Sequence, residues 1–310
     1  MPYAPVVVFV YDRLKHVEEA LSALNGNDYA ELTELFIFSD LYDENTANRQ
    51  EVMAVRKYIQ KFSENCRFIN VNIIMAKEHN GLAKSVISGV TDVINKYGKV
   101  IVVEDDLVTA KSFLRYMNEA LDYYKDNKRV WSISGYSLPL FSLRRCKSDV
   151  YAGYRGSSWG WATWKDRWDM TDWSVSDYAE FISSEQRMKE FNRGGEDMSD
   201  LLTMQMEGKS DSWAIRWNYQ QYKQNMVSIF PVRSQVKNMG WDGSGRNCGK
   251  SILKIYDTKI SNFGEHIRFD DCEVDEKIMK ETRRTYSKSL IQRLVVFVNK
   301  KMSIFILGRK

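Results

Sequence analysis

Short apolar runs and longer amphipathic stretches alternate through the first 135 residues of the chain. Residues 6–10, VVVFV, are wholly apolar and stop at Tyr11, Asp12 and Arg13, which predicts a strand buried on both faces followed by a polar loop. Over 16–24, Val17, Ala20, Leu21 and Leu24 fall on one face of a helix. Strands at 35–38, 69–75 and 130–134 and helices at 46–62, 83–97 and 112–124 continue the rhythm. Between them, 100–107 reads VIVVEDDL, an apolar strand that breaks off in three adjacent carboxylates. Strands separated by helical stretches of about ten to fifteen residues are the pattern of βαβ units. The predicted fold class is therefore α/β, with a mostly parallel central sheet flanked by helices.

After Gly135 the rhythm breaks, and 138–156 reads as an irregular segment over the sheet. Helical patterns return at 178–189, 198–206 and 213–222, and a short strand at 226–230 is ended by Pro231. Residues 240–249 hold four glycines, a loop whose backbone can approach a ligand closely. No internal repeat or low-complexity linker divides the chain, which favours one domain built of two halves, 1–135 and 136–286. The tail, 287–310, mixes Leu, Val, Ile and Phe with lysine and arginine. A helix of that composition lies in the interface of an anionic membrane or docks on the core with its lysines in water.

Composition adds less. The net charge of +4, from 45 basic and 41 acidic residues, is too small to argue for nucleic acid as a partner. Nine tryptophans are present, several of them between 159 and 173, where they either pack a core or wall a pocket for sugar or base rings. The four cysteines are far apart and form no CxxC pair, so neither a zinc ribbon nor a disulfide scaffold is expected. A reducing, cytoplasmic setting follows as the expectation, with attachment to the inner face of the plasma membrane if the tail binds lipid. The apolar run near the N-terminus is too short for a signal peptide, and no stretch is long enough to span a bilayer.

The chemistry is expected at the ends of the strands. Three adjacent acids repel one another unless a cation stands between them, and at the carboxyl end of a buried parallel strand that cation is most simply a divalent metal holding phosphate oxygens. Alternation along a strand predicts that Asp105 faces away from Glu104 and Asp106. Asp106, furthest out, is then placed to hold Mg2+ or Mn2+, and Asp105 to reach a ribose hydroxyl or a metal-bound water; a solvated turn with one acid capping the next helix is the plainer alternative. Arg13 offers a fork to phosphate. Asp40 is either an acceptor for a uracil imide N–H or a turn residue. Asn80 is suited to a base or ribose and Gly81 to close approach of a ligand, although Asn and Gly also serve turns. The chain has no GxxxxGK[ST], GxGxxG or GxSxG motif, which leaves a nucleotide held by a metal and not by a glycine-rich phosphate loop. Activating an attacking hydroxyl requires a base. Glu196, Asp197 and Asp211 are the acids of interest, and Asp211 is flanked by Trp213, whose apolar surface would raise its pKa and stack on a sugar. The alternative for Asp211 is a cap or first-turn acid of the helix over 213–222.

Taken together these residues resemble glycosyltransferases of the GT-A fold, whose metal-binding DxD motif matches EDD at 104–106. The segments VIVVEDDLVTAKSFLRYM, VWSISGYS, YRGSSWGWATWKDRW, SDSWAIRW and NMGWDGSG, with YDRLKHVEEAL and HNGLAKSV earlier, are similar to the N-acetylglucosaminyltransferase I type and its bacterial sugar-transferase relatives. The resemblance covers most of the chain and leaves out chiefly the basic tail. It implies an inverting transfer from a UDP-sugar, with Mn2+ or Mg2+ as cofactor, to a hydroxyl of a saccharide or lipid-linked saccharide in bacterial surface-polysaccharide assembly. It assigns nucleotide-sugar binding to 1–135, and acceptor binding and catalysis to 136–286. By position Asp106 matches the metal ligand, Asp40 the base-recognition acid and Asp105, with Glu104, the ribose or sugar contacts. Tyr11, Arg13, Asn80 and Gly81 fall on the nucleotide side, and Gly160 and Trp161 in the segment beside the donor sugar. Asp211 matches the acid that deprotonates the acceptor, with Trp213 lining the acceptor side. One departure is GSGRNC where relatives often have GSGTHC: Arg246 would neutralise diphosphate in place of the histidine, with Arg155 and Lys250 as other positive candidates, and the third metal contact is open. Two other readings are a nucleotidyltransferase, which would carry a Gly-rich basic loop where this chain has YDRLKH, and a non-catalytic carbohydrate-binding protein, which leaves the acids without a purpose.

Overall fold

The computed structural model describes residues 3–46, 48–242, 256–271 and 273–287. Through its first half the chain alternates strand and helix: β1 (Val6–Val10), α1 (Leu14–Asn25), β2 (Glu34–Ser39), α2 (Arg49–Glu64), β3 (Asn70–Met75), α3 (Leu82–Tyr97) and β4 (Lys99–Glu104). There follow β5 (Leu107–Thr109), α4 (Phe113–Tyr124), β6 (Val130–Ser134), β7 (Val150–Gly153) and β8 (Trp161–Trp164). The remainder supplies α5 (Lys165–Trp168), α6 (Tyr178–Ile182), α7 (Glu185–Phe191), α8 (Met198–Met206), α9 (Trp213–Lys223), β9 (Val227–Pro231), β10 (Val236–Asn238) and α10 (Glu276–Thr285).

Eight strands form one sheet in the order β3-β2-β1-β4-β8-β6-β9-β7, and β5 pairs antiparallel with β10. The pairs β3–β2, β2–β1, β1–β4 and β6–β9 are parallel, whereas β8 runs antiparallel to both β4 and β6 and β7 runs antiparallel to β9. The sheet is thus mixed, mostly parallel and covered by helices, which is the α/β class that the periodicity predicts.

Period-two alternation sorts the central strands between two cores. Val6, Val8 and Val10 of β1 and Ile101 and Val103 of β4 join Val17, Leu21 and Leu24 of α1 on one face. Val7, Phe9, Val100 and Val102 face α3 and a layer of tryptophans on the other. Each fully buried Val or Leu contributes about 1.5–3 kcal/mol relative to an exposed one, so a strand apolar on both faces is held in register from both sides. Gly98 ends α3 with a positive φ of 74°, its N–H donating to the Ile94 carbonyl at 2.8 Å.

Several elements depart from the expected pattern. β8 lies inside the tryptophan-rich segment, and its two faces go to different cores, Trp161 to one and Ala162 with Trp164 to the other. β7 occupies part of 138–156, which the sequence presents as irregular; four residues are too few to reveal a period, and pairing with β9 alone places it at the edge of the sheet. The helical stretch over 178–189 divides into α6 and α7 because Ser184 caps the second, accepting from the Arg187 N–H. α10 has no counterpart in the expected pattern. Among the described residues no helix is long and apolar enough to cross a membrane.

Candidate active site

β1 and β4 run parallel with Phe9 opposite Glu104, so the loops leaving them emerge side by side at the carboxyl edge of the sheet. Strand geometry stops at Glu104, and Asp105 and Asp106 form a turn into β5. Alternation therefore does not extend through the acid triplet. Asp105 does not face away from Asp106: both reach the same nitrogen of Arg13, Asp106 Oδ2 at 2.9 Å and Asp105 Oδ1 as the second acceptor. Glu104, the last residue with strand geometry, lies beside Trp213 of α9, whose side chain favours its charged form.

The electrostatics follow from crowding charge out of water. Burial, reinforced by Asp106 and Asp105, pushes the Glu104 carboxyl up to about 8. Asp105 is also pushed up, to about 6, because burial and the Asp106 charge outweigh its contact with Arg13. Burial works against the Arg13 cation, yet the two aspartates raise its pKa above the ordinary arginine value.

The β5–β10 pair brings a distant segment onto this cluster. The Met239 N–H donates to the Asp106 carbonyl at 2.8 Å, and Gly240 follows. A Cβ on Gly240 would lie 2.3 Å from Asp106 Oδ2 and 3.2 Å from Arg13 Nη1, so only glycine fits against the pair. Among the described residues, Asp106 Oδ1 and Arg13 Nη1 are buried without a hydrogen-bond partner.

That orphaned carboxylate oxygen bears on whether a divalent cation fits. No group of three or more His, Cys, Asp or Glu side chains is disposed to hold a metal among the described residues. Mg2+ and Mn2+, however, are commonly held by one or two carboxylates, with substrate phosphates and water completing the shell. Asp106 Oδ1 suits such a site, with Asp105 beside it. A cation bound there would draw negative charge from a departing diphosphate.

A second cluster forms at the start of α3. Asp40, at the end of β2, accepts from the N–H groups of Leu41, Asn80 and Gly81, each at 2.9 Å, and His79 Nδ1 lies 3.0 Å away. Asp211 Oδ2 accepts from the Ala83 N–H at 3.1 Å and lies close to Gly81. Asp211 is exposed and caps α3, whereas Ser212 caps α9 by accepting from the Ile215 N–H at 3.3 Å. The expected first-turn role for Asp211 on its own helix is thus taken by its neighbour. The Tyr11 ring stands 5.5 Å from His79, and its hydroxyl accepts from the Asp43 N–H at 3.2 Å. Asp40, Asn80, Gly81 and Asp211 consequently meet at one turn, while Glu104, Asp105, Asp106, Arg13 and Gly240 meet at another; α9 connects them through Trp213.

Other expected contacts do not form. Trp161 and Trp213 are only 1% and 2% exposed and stack on each other at 5.0 Å in the core. Neither ring can line a sugar, because both of its faces are already covered. Gly160 has a φ of +64° and sits where a Cβ would meet Val236 at 2.8 Å, so its lack of a side chain serves packing. Arg155 is committed to Asp197 at 2.6 Å and stacks on Tyr286 at 3.9 Å, which also occupies Asp197. Arg246, Lys250 and residues 288–310 lie outside the described residues.

Two residues of these clusters carry little signal along the chain: His79, which reads as a surface residue, and Gly240, marked only by its place in a glycine-rich loop. Beside Gly240 stands a ladder of half-buried rings that no local pattern announces, in which Trp241 stacks on Tyr256 at 5.0 Å and meets Trp159 at 6.0 Å.

No protein-family model matches the sequence, and no curated protein matches it. Among solved structures, S. aureus TarS is similar at 16% identity and a TM-score of 0.31, over 40% of this chain and 20% of that one. The 1–349 form of TarS is similar at 11% identity and a TM-score of 0.45, over 77% and 60%. The mannosyltransferase PcManGT from Pyrobaculum calidifontis, in complex with GDP-Man and Mn2+, is similar at 18% identity and a TM-score of 0.37, over 53% and 45%. This chain spans less than two thirds of the length of each, and likeness at this level concerns the fold at most.

Proposed function

We propose that this protein is an inverting, metal-dependent glycosyltransferase of the GT-A fold, moving a sugar from a UDP-sugar to a hydroxyl of a saccharide or lipid-linked saccharide, as in bacterial surface-polysaccharide assembly. The observation that carries the reading is the buried, unpartnered Oδ1 of Asp106 beside Asp105 and Arg13, at the carboxyl ends of β1 and β4. A negatively charged acceptor is costly to leave in that state, and a cation bridging to diphosphate would satisfy it. Arg13 is placed to share the phosphate charge. Asp40 and the turn at Asn80–Gly81 supply the base side, with Asp40 fixing that turn through the Asn80 and Gly81 N–H groups.

Asp211 is the base for the acceptor hydroxyl. It is exposed, held in place by one backbone N–H, and able to receive a proton as the hydroxyl attacks the anomeric carbon. One direct displacement inverts the centre without a protein nucleophile. The tail supports work at a membrane: 288–310 contains six Lys or Arg residues and no Asp or Glu. Full-length and tail-deleted protein should then differ in co-sedimentation with anionic liposomes, and equal, negligible binding would remove the membrane from the reading.

The direct test is a donor screen with purified protein, Mn2+ or Mg2+, a panel of nucleotide sugars and free UDP as readout. UDP release should require the cation and be lost in Asp106→Asn with the fold intact. Asp211→Asn should bind donor and fail in transfer. Turnover unchanged by Asp106→Asn would overturn the metal assignment, and unchanged transfer by Asp211→Asn the base.

A further inference from the structure

We propose that Arg13 is a built-in counter-ion that a divalent cation must displace, so that metal enters the acid cluster efficiently only with a nucleotide diphosphate that gives Arg13 another partner. The inference rests on the metal-dependent reading of the site and concerns how that site is kept before the donor arrives.

One nitrogen of Arg13 is shared between Asp105 and Asp106, while its other terminal nitrogen has no partner among the described residues. The guanidinium is therefore tied to the acids at one end and has unused donor capacity at the other. Among the described residues His16 is a further basic group whose charge bears on Asp105, and Glu104 adds a third acid to the cluster. Among the described residues Arg13 is thus the cation that bridges Asp105 and Asp106.

The geometry does not favour two cations. Gly240 leaves no space for even a methyl group between itself, Asp106 Oδ2 and Arg13 Nη1. A divalent ion at the orphaned Oδ1 would share one carboxylate with the guanidinium, and like charges at that separation repel strongly away from bulk water. Arg13 lies at the junction of β1 and α1 with 19% of its side chain exposed, so it can turn outward without unfolding either element. A diphosphate accepts a bidentate guanidinium as readily as a carboxylate does. Metal and nucleotide then assist each other through the arginine, a coupling that must be reciprocal.

The test is Mn2+ binding, followed by calorimetry or by the electron paramagnetic resonance of free Mn2+, for wild type, Arg13→Gln and Arg13→Lys, with and without UDP. Without UDP, Arg13→Gln should bind Mn2+ about tenfold tighter than wild type, equivalent to about 1.4 kcal/mol. Arg13→Lys keeps the charge but not the planar fork, and should fall between them. The factor by which UDP tightens Mn2+ binding should shrink in Arg13→Gln by about the amount gained without it. Mn2+ should also raise the melting temperature of nucleotide-free Arg13→Gln more than that of wild type. Should circular dichroism show that Arg13→Gln does not fold, Arg13→Lys carries the test with the same sign. Mn2+ binding no tighter in the folded variant, while wild type with UDP binds Mn2+ normally, would overturn the counter-ion role and leave the transferase reading standing. Absence of Mn2+ binding by wild type with UDP would remove the metal site, and the counter-ion role with it.

Discussion

On one side of the sheet Trp131, Trp161, Trp168, Trp213 and Trp217 pack ring against ring, with Trp131 and Trp217 only 4.2 Å apart. At the nearby strand ends Glu104, Asp105, Asp106 and Arg13 crowd together. Among the described residues both regions bury polar atoms without hydrogen-bond partners: the indole N–H groups of Trp131 and Trp161 in one, Asp106 Oδ1 and Arg13 Nη1 in the other. The physical cost differs. A neutral indole N–H can lean on the ring faces that surround it, and the large area of each ring more than offsets it. A buried carboxylate oxygen has no such recourse. The tryptophan layer thus stabilises the fold, whereas the acid cluster is maintained at the expense of stability, as is usual where charged groups are arranged for chemistry. Trp213 joins the two regions, contributing its ring to one and lying beside Glu104 in the other.

The contrast can be broken most forcefully from the tryptophan side. Trp217→Ala removes a ring within 5.8 Å of Trp131, Trp161 and Trp168 and should cost about 3–5 kcal/mol in denaturant unfolding. Donor affinity per folded molecule should be unchanged; a folded Trp217→Ala protein with lost donor affinity would make the layer a ligand wall after all. Asp106→Asn should do the opposite, lowering cation-dependent turnover by about a hundredfold or more without lowering the unfolding midpoint. A Gly240→Ala substitution sharpens the comparison, because its Cβ collides with Asp106 Oδ2. It should weaken Mn2+ binding by about tenfold and cost about 1–3 kcal/mol in stability.

The smallest effect concerns the rim of the tryptophan layer. Asp172 accepts from the backbone and hydroxyl groups of Ser174 and Ser176, and these hydrogen bonds hold its carboxyl well below the usual carboxylate range. A depressed folded-state pKa contributes stability that is present above the unfolded value and lost as pH falls through the folded one. Thermal melts below about pH 4 should therefore show a gentler acid decline in Asp172→Asn than in wild type, by less than about 1 kcal/mol because the group is exposed. Identical acid limbs would detach this turn from the stability of the layer.

Much of the architecture was legible along the chain. Runs apolar on both faces, such as those of β1 and β4, and amphipathic stretches such as α1 and α3 carry their burial in local periodicity, so fold class and the position of the acid triplet could be read from spacing alone. Asp40, Asn80 and Gly81 were also legible, since residues at the ends of parallel strands converge on one edge whatever the loops do. The short strands β5, β7 and β10 were not, because three or four residues carry no period.

What only tertiary structure decided is which way side chains face once regular geometry ends. Asp105 and Asp106 turn onto one arginine because the strand stops before them, and Gly240 meets them because β10 pairs with β5. Asp211 caps α3 instead of its own helix because α9 packs beside α3. The tryptophans show the same limit: a large ring suits a core and a sugar equally well by composition, and only the neighbours that cover its faces distinguish the two. Local sequence encodes how much each segment is buried, whereas the identity of the partner is a property of the whole chain.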